Sequence, residues 1–111
     1  MIIFELVNPK TEEKAVFERE DTTLEELEAY YKLQDDMRQK AIELVLTNQL
    51  ALDMQLEYIV KLFGNKNLTV KRLKKEVLSK NLKSTIEGIF KQISPEDFDD
   101  DDDDENGNSG K

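Results

Sequence analysis

The chain has 111 residues, enough for one domain around one hydrophobic core, and a formal net charge of −9. It contains no cysteine and no histidine, which excludes disulfides and thiolate metal sites. It also removes the commonest general base, the commonest metal ligand and the usual pH switch.

The N-terminus, Met1-Ile2-Ile3-Phe4-Glu5, has no basic leader and no small-residue cleavage site, so it does not read as a signal peptide. No apolar run approaches the ~20 residues that a membrane span requires, and a cytoplasmic setting is expected. Ile2 to Val7 is β-branched, aromatic and partly alternating. Asn8-Pro9-Lys10-Thr11 signals a turn, and Lys14 to Glu20 alternates again, with Val16 on one side and Ala15 and Phe17 on the other. The pattern predicts a β-hairpin, one face of which must lie on helices, because two strands alone are marginal in water.

Thr23-Leu24-Glu25-Glu26 fits a capping box that opens a helix. Leu24, Leu27, Tyr30 and Tyr31 follow at helical spacing, and Met37, Ala41, Ile42 and Val45 resume the face. Gln34 and Arg38 fall inside this stripe, so a bend or break is expected near Asp35-Asp36, the alternative being that the two polar side chains are left for a partner.

The next helix, Gln49 to Phe63, is apolar around most of its circumference. Asp53, Glu57 and Lys61 form its only polar stripe, and Glu57 and Lys61 are placed for an ion pair. A helix of this kind is buried centrally or in an oligomer, which predicts self-association. Gly64-Asn65 ends it with a left-handed cap.

Thr69 caps a short helix to about Leu78, with Leu73 and Val77 inward and Lys71, Arg72, Lys74 and Lys75 outward. That basic face, with Lys80 and Lys83 nearby, reads as an ordinary solvated surface, or else as a contact for phosphate or for the acidic tail. A last helix from about Asn81 to Ile93 carries Leu82, Ile86, Ile89, Phe90 and Ile93, and Ser94-Pro95 closes the fold.

Nine of the 25 acids and one of the 16 bases lie from Glu96 onward, leaving 16 acids and 15 bases before it. The body is therefore nearly neutral and offers no basic nucleic-acid surface. The run Asp99, Asp100, Asp101, Asp102, Asp103 and Asp104 repels itself, so a disordered acidic tail is expected over 96–111, after a domain of 1–95. The run reads first as a solvating tail, second as a lure for a basic partner. A metal site comes last, because a flexible self-repelling chain supplies no fixed oxygen shell. The fold expected is mostly α (α+β), an N-terminal hairpin and three to five helices.

No phosphate loop, nucleophile elbow or metal-spaced ligand set is present. Neighbouring carboxylates such as Asp35-Asp36 point ~100° apart on a helix and do not converge. Catalytic, cofactor-binding and metal-binding residues are thus each expected to be none. The function expected is binding of other proteins, without nucleic acid or membrane. Tyr30, Tyr31, Leu52, Leu56, Ile59 and Phe63 are the candidate contact residues, on the outer face of Gln49 to Phe63 and beside it.

The order of segments, with Tyr30-Tyr31-Lys32-Leu33-Gln34, Tyr58-Ile59-Val60-Lys61-Leu62-Phe63-Gly64-Asn65 and Leu68-Thr69-Val70-Lys71-Arg72-Leu73, resembles the tail assembly chaperones of long-tailed phages of Gram-positive hosts, counterparts of the lambda tail chaperone pair. The resemblance covers roughly residues 1 to 95. It implies a helper that coats the tape measure protein, keeps it soluble, helps recruit tail tube protein in the host cytoplasm, and is absent from the mature virion. It also implies a longer form made by programmed ribosomal frameshift, and Gly110-Lys111 is a dipeptide that a slippery codon run would encode. The rival reading is an acidic nucleic-acid mimic or transcription modulator that competes for a basic protein site. A structural subunit of the tail is the third.

Overall fold

The computed structural model describes residues 2–96. The acid run Asp99 to Asp104 and the division at 96–111 fall outside the described residues, apart from Glu96. Strand β1 (Ile2–Val7) and strand β2 (Lys14–Arg19) are followed by helices α1 (Leu24–Ile42), α2 (Asn48–Phe63) and α3 (Val70–Glu76), a 3-10 turn at Ser79–Asn81, and helix α4 (Leu82–Ile93). The fold is mostly helical with an N-terminal hairpin, as expected from the sequence.

The strands pair antiparallel, Phe4 opposite Phe17 and Leu6 opposite Ala15. Alternation therefore puts Ile2, Phe4, Leu6 and Phe17 on the inner face, where all four are buried. Asn8 shapes the connection: its side-chain oxygen accepts from the amides of Lys10 at 2.8 Å and Thr11 at 3.2 Å. Glu12, at φ 64, returns the chain into β2.

Helix α1 begins as predicted. The Glu26 amide donates to the Thr23 hydroxyl at 3.3 Å, and the Thr23 amide donates to the Glu26 carboxylate at 2.9 Å. The break expected at Asp35-Asp36 does not occur, and the helix runs unbroken to Ile42. The packed stripe is Leu27, Tyr30, Leu33 and Met37, rotated from the one the sequence suggested. Gln34 and Arg38 thus need no accommodation in a core. Arg38 is exposed and bonds Asp35 at 2.8 Å, while Lys32 bonds Asp36 at 3.1 Å.

Helix α2 starts at the Thr47 cap, which accepts from the Leu50 amide at 3.0 Å. It ends at Gly64, whose φ of 59 is the left-handed conformation that glycine adopts without a Cβ penalty. Glu57 and Lys61 do not pair; Asp53 bonds Lys74 instead, at 2.9 Å. Helix α3 is capped by Thr69 and ends at Glu76, because Val77 turns extended. Helix α4 buries Ile86, Ile89, Phe90 and Ile93 on one stripe, as expected.

The core lies where the inner face of the hairpin meets α2, α3 and α4. Phe4 stacks on Phe17 at a centroid distance of 6.2 Å and meets the tilted ring of Phe63 at 6.1 Å. Tyr30 meets the edge of Phe90 at 5.1 Å, and Tyr58 meets it at 6.0 Å, so α1 and α2 close on α4 through aromatic rings.

Candidate partner-binding surface

Four of the six contact residues expected from the sequence are core. Tyr30, Leu56, Ile59 and Phe63 are all under 9 % exposed, so their side chains hold the fold and offer no surface. The apolar circumference of α2 is consumed locally: β2, α1, α3 and the Phe90 ring of α4 cover its C-terminal half. Self-association loses the support it drew from that helix. Leu52 is half-buried and Tyr31 is 47 % exposed, so these two retain accessible area.

The uncovered apolar area sits elsewhere. No residue from Gln34 to Gln55 is buried. The distal half of the α1–α2 pair therefore touches the core only through half-buried side chains such as Met37, Leu52 and Met54, and its tip carries Ile42 at 68 %, Leu44 at 91 % and Val45 at 51 % exposure. Leu46, Leu50 and Leu52 beside it are half-buried. Contiguous exposed apolar side chains of this kind mark contact surfaces on soluble proteins.

The tip has a defined backbone. The Leu44 amide donates to the Ala41 carbonyl at 3.0 Å, and the Val45 amide donates to the Lys40 carbonyl at 2.9 Å. These are the two bonds of a Schellman motif, and they satisfy carbonyls that the helix end leaves free. The motif needs a left-handed residue at its centre, normally glycine. Here that residue is Leu44, at φ 63. A leucine in this conformation costs about 1–2 kcal/mol. The chain accepts that cost and then leaves the side chain in water.

Below the tip, a cavity of about 380 Å³ opens between α1, α2 and α4, with Tyr30, Ile86 and Phe90 lining it alongside Gln34 and Gln55. Gln34, placed by sequence either at a helix bend or in reserve for a partner, lies in this groove on an unbroken helix.

The base of the helix pair is fixed to the sheet. The Arg19 guanidinium donates to the Leu62 carbonyl at 2.7 Å and to the Glu26 carboxylate at 2.7 Å. It thereby caps the C-terminal end of α2 and anchors the first turn of α1. Arg19, helped by the Thr23 amide, holds the Glu26 carboxyl below the usual carboxylate range. The Tyr58 hydroxyl donates to the Glu26 carbonyl at 3.0 Å, and burial, reinforced by the Glu26 charge, pushes its pKa up to about 12.

The basic face of α3 divides. The Arg72 guanidinium bonds Glu76 and the Asn67 carbonyl, both at 3.1 Å, and its carbon lies 5.5 Å from the Phe17 ring centroid. Lys74 holds the Asp53 carboxyl below its ordinary range. Lys71 and Lys75 are exposed. Among the described residues, no group of three or more His, Cys, Asp or Glu side chains converges as a metal site, and no helix is long and apolar enough to cross a membrane.

Sequence reading missed Leu44 because it sought function on helix faces. The usable signal was the connection Leu44-Val45-Leu46, three aliphatic residues before the Thr47 cap with no glycine, proline or asparagine to make the turn. A family model described as phage tail chaperone protein matches residues 1–111. No curated protein and no solved structure matches the chain.

Proposed function

The chain belongs to the phage tail chaperone protein family, and from that premise we propose that it holds the tape measure protein soluble while a tail is built, using the apolar tip of the α1–α2 pair. The contact is binding, without chemistry. A tape measure protein presents long apolar helical faces, and an apolar tip beside a groove is suited to such a face. Burying one exposed leucine contributes about 1.5–3 kcal/mol, so a single tip binds weakly. Many copies along one long chain then coat it by avidity. The same reading places the protein in the host cytoplasm, has it help recruit tail tube protein, and leaves it out of the mature virion.

The observation that carries this reading is Leu44, 91 % exposed at a position where glycine would be less strained. Its test is co-expression with a tape measure protein. Wild type is expected to keep that protein in the soluble fraction, and the Ile42→Asp/Leu44→Asp variant to leave it insoluble while melting like wild type. A folded double variant that solubilises as well as wild type sinks the proposal.

A further inference from the structure

The hairpin has two edges, and they are not equivalent. The Asn8 amide donates to the Glu13 carbonyl at 2.9 Å, and these residues lie opposite one another in the register that pairs Val7 with Lys14. Antiparallel ladders alternate hydrogen-bonded and non-hydrogen-bonded pairs. The bonded pairs are therefore Leu6 with Ala15, Phe4 with Phe17 and Ile2 with Arg19. It follows that the backbone amides and carbonyls of Ile3, Glu5 and Val7 point out from the free edge of β1, and those of Lys14, Val16 and Glu18 point out from the free edge of β2. The Ile3 amide confirms this phase: it donates away from β2, to the Gln92 side chain of α4, at 3.2 Å.

The edge of β1 is accounted for. Gln92 takes its first amide, and its later residues face Glu76, Val77, Leu78, Asn81 and Thr85 across a cavity. Among the described residues, the edge of β2 has no such cover. Lys14, Val16 and Glu18 are all exposed, Val16 at 52 %. An open edge is a template for another strand, and proteins commonly block one with charges. The charges here do not block a copy of the same edge. Lys14 and Glu18 are of opposite sign and equidistant from Val16. If two β2 strands run antiparallel about Val16, each Lys14 falls opposite a Glu18, and Val16 meets its own counterpart. All three side chains lie on one face of the sheet, so both cross-strand ion pairs and the apolar contact form together. Every outward amide and carbonyl of the three residues acquires a partner in the same step.

We propose that two copies of this chain pair through the β2 edge, antiparallel and centred on Val16, giving a four-stranded sheet. The contact uses none of the tip residues Ile42 to Leu46, so it stands independently of the tape measure reading. It replaces the apolar helix as the source of self-association.

The experiment is charge exchange on the full chain, followed by sedimentation velocity over a hundredfold concentration range at low salt. Wild type is expected to shift from monomer to dimer with concentration. K14E places Glu opposite Glu at both ends, and E18K places Lys opposite Lys, so each alone is expected to weaken the dimer at least tenfold. An equimolar mixture of the two variants restores opposite signs at every position, and it is expected to dimerise like wild type. Wild type that stays monomeric throughout overturns the proposal. So does a dimer that neither variant weakens, or a mixture that fails to recover. Amide exchange supplies a second readout: the Val16 amide is expected to slow with rising concentration, and an unchanged rate counts against the assignment.

Discussion

Two side chains carry opposite burdens. Arg19 is a strand residue whose guanidinium reaches two helix ends, and nothing in its local sequence announces this. Arg19→Met leaves the Glu26 carboxylate and the Leu62 carbonyl without their donor, and is expected to destabilise by about 1–2 kcal/mol, discounted for partial exposure. Glu26 gives the pH signature. Its folded pKa is depressed, so its contribution is complete above the unfolded value of about 4.3 and is lost as pH falls through the folded one. Thermal melts from pH 6 to pH 3 are expected to show wild type losing its advantage over Glu26→Gln at the acid end. Tyr58 acts at the other extreme: its contribution is present below pH 10 and fades as pH rises toward about 12. Leu44 works against the fold. Leu44→Gly is expected to raise stability by about 1 kcal/mol, or roughly 4–8 °C in Tm, while weakening tape measure binding. A variant that melts lower, or binds equally well, contradicts the view that this leucine is kept for contact.

At the level of elements, much was legible because local chemistry decides it. Thr23 and Thr69 each cap a helix, Gly64 ends one, and Asn8 with Pro9 turns the hairpin, whereas the Thr47 cap of α2 was passed over. The α4 stripe was legible because its apolar residues occupy one face alone, and Ile89, 2 % exposed at its centre, is expected to cost about 2–5 kcal/mol as Ile89→Ala in chemical denaturation. Two things were not legible. The buried stripe of α1 was misplaced because Leu24, Ala41, Ile42 and Val45 share the helical period yet find nothing to pack against; periodicity records apolarity, and burial needs a neighbour. The faces of α2 were misassigned for a related reason. A nearly all-apolar helix gives no sign of which side the rest of the chain covers, so Leu56, Ile59 and Phe63 read as surface when they are core.

Across the whole molecule, the buried core and the exposed apolar tip are separated in space. The sheet, α3, α4, the N-terminal half of α1 and the C-terminal half of α2 make the core, and the distal α1–α2 pair adds only half-buried residues such as Met37 and Leu52 to it. Changes at the tip are therefore expected to move binding without moving the unfolding midpoint, Leu44→Gly being the exception for the backbone reason given. Truncation after Glu96 discriminates the tape measure reading from the acidic-mimic rival. The truncated chain is expected to melt within about 2 °C of wild type and still hold the tape measure protein through the tip. Loss of that binding on truncation shifts the recognition element to the acid run.

The turn at Leu44 is also where a protease will enter. Its backbone lies in water at the far end from the packed rings, and its leucines suit a chymotrypsin-like cleft. Brief digestion is expected to nick the chain between Ile42 and Leu46 before any other described peptide bond. The two fragments should remain together on a sizing column, because the elements on either side of the nick are stitched through Phe90, Arg19 and the hairpin. A bound tape measure protein would shield that bond, so the rate of a single cut reports occupancy without any label.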